Sequence, residues 1–338
     1  MKFIQQQPLQ QLNTFGIATT AANYVKVTSL SDVQTIVTDR YWLSEGIKVI
    51  GGGSNILLTQ PLDGLLVHNQ LKGINVVAED EQFVYLKAAA GEQWHDVVMY
   101  AVANNWGGIE NLSLIPGCVG ASPMQNIGAY GIEIKDVFHA LEAIAIGSGE
   151  MITFSQQDCQ FAYRESVFKR ALKGQYVIVS VTYQLRKQPI FNTSYGAIEQ
   201  ELARAGITNL TVKAISDAVI RIRTSKLPNP SAIGNAGSFF KNPTISASSF
   251  AQLQATYPEI VGYHLPQGDV KLAAGWLIEK AGFKGWRSGD VGCHSKQALV
   301  LVNYGNASGS DVWALATNII DKVQAMFGVS LEPEVNIW

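Results

Sequence analysis

Residues 115–131 read Ile-Pro-Gly-Cys-Val-Gly-Ala-Ser-Pro-Met-Gln-Asn-Ile-Gly-Ala-Tyr-Gly, and no other stretch limits the fold as strongly. Gly117, Gly120, Gly128, Gly131, Pro116 and Pro123 keep it out of a helix interior or a central strand. Its Ile, Val and Met make it too apolar for a solvated linker. Backbone of this kind is either a buried connection between two domains or a segment laid flat against a large ligand. In the second case missing Cβ atoms permit close approach, and amide N–H groups face the ligand.

A second glycine cluster lies upstream. Ile47-Lys48-Val49-Ile50 reads as a short strand running into Gly51-Gly52-Gly53-Ser54-Asn55. A strand followed by three glycines and a Ser-Asn pair makes a backbone nest suited to phosphate oxygens. It is not a Walker loop, because no Gly-Lys-Ser/Thr follows, and Ile56 stands where a dinucleotide fingerprint needs its third glycine. Its plain alternative is a tight turn after a strand.

At 338 residues the chain is long for one core, and two or three domains are expected. With 47% apolar and 15% charged residues it is an ordinary globular sequence. A net charge of −2 gives no reason to expect nucleic acid or an anionic membrane as partner. The three cysteines, Cys118, Cys159 and Cys293, argue against a disulfide framework and a zinc site, and no metal is expected. There is no apolar leader and no 18-residue apolar span, so membrane insertion is not expected and a cytoplasmic location is.

Hydrophobic periodicity places strands at 23–27, 65–67, 83–90 and 176–185, a hairpin from 140–146 and 151–154, and a helix at 30–40. A helix at 92–105 carries Trp94, Val97, Val98, Ala101 and Val102 on one face, which is core. Ile215, Ala218, Val219 and Ile222 make another helical stripe, and the Pro/Asn/Gly-rich run after it, up to Pro243, reads as a domain junction. A helical segment at 272–281 and a strand at 298–302 follow. The last helix, 310–327, has Ser310 as N-cap and Gly328 as its stop.

Four segments carry polar residues that packing alone explains poorly. Arg164 stands beside aromatics, Tyr195 in a turn, Ser238 between Gly237 and a Phe pair, and Glu332 and Glu334 near the end of the chain. Singly, each has an ordinary reading as an ion pair, a packed turn, a cap or a solvated end. Together with the glycine stretches they closely resemble the family of UDP-N-acetylenolpyruvoylglucosamine reductases of peptidoglycan synthesis. The resemblance runs from Asn13-Thr14-Phe15-Gly16 to Glu334, and is most specific at residues 115–131, 234–243 and 272–278.

The resemblance implies an α+β flavoprotein of three domains. Two form a vanillyl-alcohol-oxidase-type FAD-binding unit (1–68 and 69–225), a smaller α/β substrate domain spans 226–327, and 328–338 returns towards the first or towards the active site. FAD is implied as a non-covalent cofactor, since neither glycine stretch has a His and Cys118 is the only thiol there. Gly51, Gly52, Gly53, Ser54 and Asn55 would meet its diphosphate, and Gly117, Gly120, Ala121, Ser122, Gly128 and Ala129 would run along the flavin. NADPH is implied as co-substrate and UDP-N-acetylglucosamine enolpyruvate as substrate, with the protein acting as a monomer.

The carbanion-like centre that develops in such a reduction needs a cationic clamp, an acidic partner and a proton. The resemblance assigns these roles to Arg164, Glu334 and Ser238, with Ser238 the proton donor to C2. It assigns sugar-nucleotide contacts to Tyr195 and Lys226, and further substrate contacts to Tyr130 and Asn242. The family often places an Arg after its Glu-Pro-Glu-Val run, where this chain has Asn336, and Glu332 competes with Glu334 for the acidic role. The rival readings are another flavin dehydrogenase or oxidase of the same fold, and a flavin- or nucleotide-binding module without catalysis. A binding module has no use for a clamp, a carboxylate and an acid.

Overall fold

The computed structural model describes residues 1–338. Its longest strand, Tyr176–Arg186, is the centre of a five-stranded antiparallel sheet. The strands run Met151–Ser155, Phe138–Ala145, Tyr176–Arg186, Phe83–Ala89, Ile74–Glu79 across that sheet. Val181, Tyr183 and Leu185 pack with the helix Trp94–Ala103, whose Trp94, Val97, Val98, Ala101 and Val102 are all buried. The Trp94 indole donates to Leu112 O at 2.9 Å, so this ring is core with a satisfied N–H.

A second, four-stranded sheet is ordered Phe3–Pro8, Thr20–Val27, Leu62–Asn69, Ile47–Ile50, with the last three strands parallel. Helix Leu30–Thr38 covers it with Val33, Ile36 and Val37, packed among Val25, Val27, Leu65 and Val67. The single helix expected at 30–40 is two, because Asp39 is extended (φ −71°, ψ 117°) and its carboxylate accepts from Tyr41 N and Trp42 N to start Arg40–Glu45.

The chain divides into two compact units. The first holds Met1–Gln7, Ala21–Gly53 and Leu62–Ser225; the second holds Pro8–Thr20, Ser54–Pro61 and Lys226–Trp338. The break after Ser225 falls where the stretch read as a junction begins, but from Gly234 on that stretch is built into the second unit. Gly234 exchanges backbone bonds with Asn303, Phe239 N donates to Leu299 O, and Phe239 and Phe240 are buried. Aromatic burial and paired backbone there outweigh the local turn composition. The final helix, Gly309–Phe327, is capped by Ser308, not Ser310: Ser308 and Asp311 form a reciprocal capping box. Gly328 ends it in the left-handed conformation. No helix is long and apolar enough to cross a membrane.

Candidate active site

The two glycine stretches meet. A Cβ on Gly51 would stand 3.1 Å from Cys118 Cβ, and one on Gly52 would stand 3.1 Å from Gly117 Cα. Gly52 therefore packs backbone on backbone and Gly51 packs on the Cys118 side chain, and glycine is the residue that permits both. Gly53 (φ 59°) and Gly117 (φ 110°) both adopt conformations open to glycine. Gly120 faces Ala90, where a Cβ would come within 2.8 Å.

The downstream stretch contributes shape more than donors. The amides of Val119, Gly120, Ala121 and Ser122 donate to Glu92, Ala90, Cys118 and Val119 carbonyls. The Ser122 hydroxyl is buried against the Tyr183 hydroxyl at 2.7 Å. Donation to a ligand from these four positions, expected of the segment as a whole, is thus already answered inside the protein. Gly128 and Ala129 pair with Glu133 and Ile132 in a two-residue ribbon.

Arg164 comes to this segment from 36 residues away: its Nη2 donates to Gly128 O at 2.5 Å. It sits at the tip of a tight turn closed by reciprocal Ala162–Glu165 backbone bonds, with φ 55°. Asn126 Nδ2 to Ala162 O (3.1 Å) and Ser166 Oγ to Met124 O (2.6 Å) tie the turn down on both sides. A non-glycine residue held left-handed by its surroundings is a strained position of the kind that functional sites keep.

Tyr130 (φ 50°) and Tyr195 meet edge to face with ring centroids 5.3 Å apart. Tyr195 precedes helix Gly196–Arg204 and is 49% exposed, so it lies at a surface where a ligand can reach it. Burial pushes the Tyr130 phenol above its ordinary range, with the hydrogen-bonded Arg223 guanidinium opposing. Arg223, which the sequence reading missed, is held below its usual range chiefly by burial, while Tyr130 acts against that and Arg164 adds to it. Its Nε donates to Leu114 O at 3.2 Å, and Leu114 N donates to His95 Nδ1 at 3.0 Å. Buried Asn111 holds Tyr130 O and Asn192 O, each at 2.9 Å, and its Oδ1 has no protein partner. Two arginines, two tyrosines and an open acceptor make a corner suited to an anionic, hydroxyl-rich ligand. The one signal for Arg223 was its place one position after Ile222, at the edge of the buried helical stripe.

Within the second unit, Phe239 (the neighbour of Ser238), Glu334 and Asn55 come together through the backbone. Glu334 N donates to Phe239 O at 2.7 Å, and Asn55 Nδ2 donates to Glu334 O at 3.3 Å. Asn336 donates from Nδ2 to Asn55 O at 3.0 Å, so it braces the strand pair Asn336–Ile337 and Ile56–Leu57. Glu332 is exposed and lies 3.4 Å from Lys241 Nζ, whereas Glu334 is half-buried beside the Ser238 segment. Asn242 Oδ1 accepts from Ala274 N at 3.0 Å and caps the helix Ala274–Lys280. Lys226 ends helix Val212–Lys226 and is exposed.

A family model described as an FAD binding domain matches residues 21–155, which contain both glycine stretches. A model of the UDP-N-acetylenolpyruvoylglucosamine reductase C-terminal domain matches residues 229–338, which contain Ser238, Asn242 and Glu334. The UDP-N-acetylenolpyruvoylglucosamine reductase of Flavobacterium johnsoniae is 48% identical over 330 residues, 97% of each chain. That of Amoebophilus asiaticus is 51% identical over 98% of this chain and 97% of its own. The chain belongs to the UDP-N-acetylenolpyruvoylglucosamine reductase family. As a member of that family it is an oxidoreductase with an FAD-binding domain. A crystal structure of the reductase from Thermus caldophilus shares the α+β fold, with a TM-score of 0.67 at 20% identity, over 100% of this chain and 98% of that one. The residues present fit a bound FAD: Gly51 and Gly52 are packed so closely that a Cβ would need its neighbours to give way, and they bring bare backbone to one turn.

Proposed function

We propose that this protein catalyses the NADPH-dependent, FAD-mediated reduction of UDP-N-acetylglucosamine enolpyruvate to UDP-N-acetylmuramate, in the cytoplasm, as a step of peptidoglycan synthesis. The observation that carries the proposal is the meeting of Gly52 with Gly117 while Arg164 is anchored on Gly128, in a chain about half identical to named reductases. When bound, FAD supplies the two-electron chemistry, taking hydride from NADPH and passing it to the vinyl C3 of the substrate.

The chain's own residues do the rest. The turn at Gly51–Asn55 holds the FAD diphosphate, and the segment carrying Gly117, Gly120, Gly128 and Ala129 shapes the flavin site. The cofactor is held without a covalent bond: Cys118 is buried, and burial raises its thiol above the ordinary cysteine range despite the nearby Lys72. A neutral thiol is a poor nucleophile. Arg164 draws charge onto the substrate carboxylate, Glu334 completes the polarisation, and Ser238 gives its proton to C2. Glu334 is preferred to Glu332 because the latter is solvated and paired with Lys241. Tyr195 and Lys226 receive the sugar diphosphate, with Tyr130 and Asn242 as further contacts. The proposed division is 1–68 and 69–225 for the cofactor and 226–327 for the substrate, in a protein working as a monomer.

The test is an assay of purified holoprotein with NADPH and the enolpyruvyl sugar nucleotide under nitrogen. Product heavier by two hydrogens, formed one for one with NADPH consumed, supports the proposal. NADPH consumption that needs oxygen and ignores the sugar nucleotide would overturn it in favour of an oxidase of similar fold.

A further inference from the structure

We propose that the side-chain amides of Asn111 and Asn192 form a latch that fastens the Tyr195 loop to the turn at Tyr130 and Gly131, and so presents Tyr195 to the sugar nucleotide. The inference rests on the reading that Tyr195 receives the sugar diphosphate, and it makes the two asparagines positioning residues. Asn111 lies in the buried turn Glu110–Leu112 and is 1% exposed. Its Nδ2 donates to Tyr130 O and to Asn192 O, each at 2.9 Å, which uses both of its protons. Asn192 answers from the loop: its Nδ2 donates to Gly131 O at 3.1 Å. Its Oδ1 accepts from Ser194 N at 3.3 Å and from Ser194 Oγ at 2.8 Å. The next residue is Tyr195, whose ring meets that of Tyr130 with centroids 5.3 Å apart.

The partners settle which way both amides face. Tyr130 O, Asn192 O and Gly131 O can only accept, and Ser194 N can only donate. Turning Asn111 over would set its oxygen against two carbonyls, so the amide keeps this orientation although Oδ1 has no protein partner. Packing alone does not fix the loop. Pro189 lies on Gly107, where a Cβ would come within 2.7 Å, and Phe191 packs against two cores. Ile190, however, is 70% exposed, and Ile190, Phe191 and Asn192 border a cavity of about 330 Å³ lined also by Phe83, Gly108 and Arg186. Chain beside a cavity shifts at little cost in contacts, whereas a hydrogen bond fixes donor on acceptor. The turn that receives the loop is shaped for it. Tyr130 is left-handed at φ 50°, and a Cβ on Gly131 (φ 82°) would stand 2.9 Å from Asn192 Nδ2. Only glycine lets the amide lie so close. With the loop ordered beforehand, ligand binding does not have to bear that cost.

The experiment is steady-state kinetics of the holoprotein with NADPH and the enolpyruvyl sugar nucleotide, for Asn192→Ala, Asn192→Asp, Tyr195→Phe and the double variant of Asn192→Ala with Tyr195→Phe. Asn192→Ala is expected to raise KM for the sugar nucleotide about ten-fold, with KM for NADPH within about two-fold of the parent. Asn192→Asp keeps the acceptor for Ser194 but loses the donor to Gly131, and is expected to behave as Asn192→Ala does. The double variant is expected to bind about as weakly as Tyr195→Phe alone, because a latch acting through the Tyr195 hydroxyl has nothing left to place. Losses that multiply, an Asn192→Asp enzyme that matches the parent, or equal rises in both KM values overturn the latch. Asn111→Ala is expected to weaken the sugar nucleotide by a similar factor, and an unchanged KM overturns the latch; should that variant fail to fold, the Asn192 series decides. The reading beneath it is tested separately. A Tyr195→Phe enzyme that binds the sugar nucleotide like the parent removes that reading, whereas a weak Tyr195→Phe beside a normal Asn192→Ala removes the latch alone.

Discussion

Gly52 and Gly117 touch through backbone alone: a single carbon added to the first would press to 3.1 Å on the Cα of the second. That spacing is tighter than ordinary van der Waals contact, and the neighbour that would have to move is main chain. Gly52→Ala is expected to weaken FAD binding by about ten-fold or more, roughly 1.4 kcal/mol, while the apoprotein keeps its circular-dichroism spectrum. Unchanged flavin content would show that the turn has slack the geometry does not reveal.

Arg164 owes its direction to a left-handed backbone and a 2.5 Å bond to Gly128 O. Lysine keeps the charge but not the planar fork. We expect Arg164→Lys to lower turnover with the enolpyruvyl substrate by about 10²–10³-fold, with flavin reduction by NADPH within a few-fold of the parent. Equal slowing of both half-reactions would make Arg164 a structural brace.

Much of this site was legible in the sequence because glycine and proline are informative where they crowd. Residues 115–131 read as backbone laid against a flat ligand or a buried connection, and 51–55 as a phosphate nest or a tight turn; the packing of Gly52 on Gly117 is added by the structure. The buried faces of Trp94–Ala103 and Gly309–Phe327 were equally plain from their periodicity. Other features left no local mark. Helix Ala247–Thr256 buries only Phe250, so its periodic signal is faint, and helix Gly196–Arg204 buries only Ile198 and Leu202. Arg223 and Asn111 are singled out by burial and by partners distant in sequence, such as Leu114 and Asn192, which composition does not show. The run from 234 to 243 looked like a junction because its backbone is paired to strands more than 50 residues away, with Leu299, Asn303 and Glu334.

Tyr195 rests edge-on to Tyr130 with half its surface open. Removing its hydroxyl leaves the ring contact intact. Tyr195→Phe is expected to raise KM for the sugar nucleotide about five- to twenty-fold, roughly 1–2 kcal/mol, with KM for NADPH nearly unchanged. Equal effects on both would remove its assignment to the sugar diphosphate.

Glu110 is 2% exposed and accepts from Gly108 N at 2.6 Å. Burial raises its carboxyl above the ordinary glutamate range, against the pull of that N–H. A raised acid favours the protonated folded state, so its contribution is full below the ordinary pKa of 4.5 and is lost as pH rises through the folded value. The Tm of Glu110→Gln relative to the parent is therefore expected to climb by a few degrees between about pH 5 and pH 8. A difference that stays flat or falls over that range would contradict the assignment.

The assignment of Ser238 is tested most directly by anaerobic stopped-flow on parent and Ser238→Ala enzymes, each reduced by NADPH and then mixed with the enolpyruvyl sugar nucleotide. In the parent the yellow absorbance should return with one product per flavin. In Ser238→Ala, bleaching by NADPH should proceed as before while the return of colour slows at least about a hundred-fold. A parent enzyme that stays bleached, or a variant slowed equally in both steps, would contradict the account.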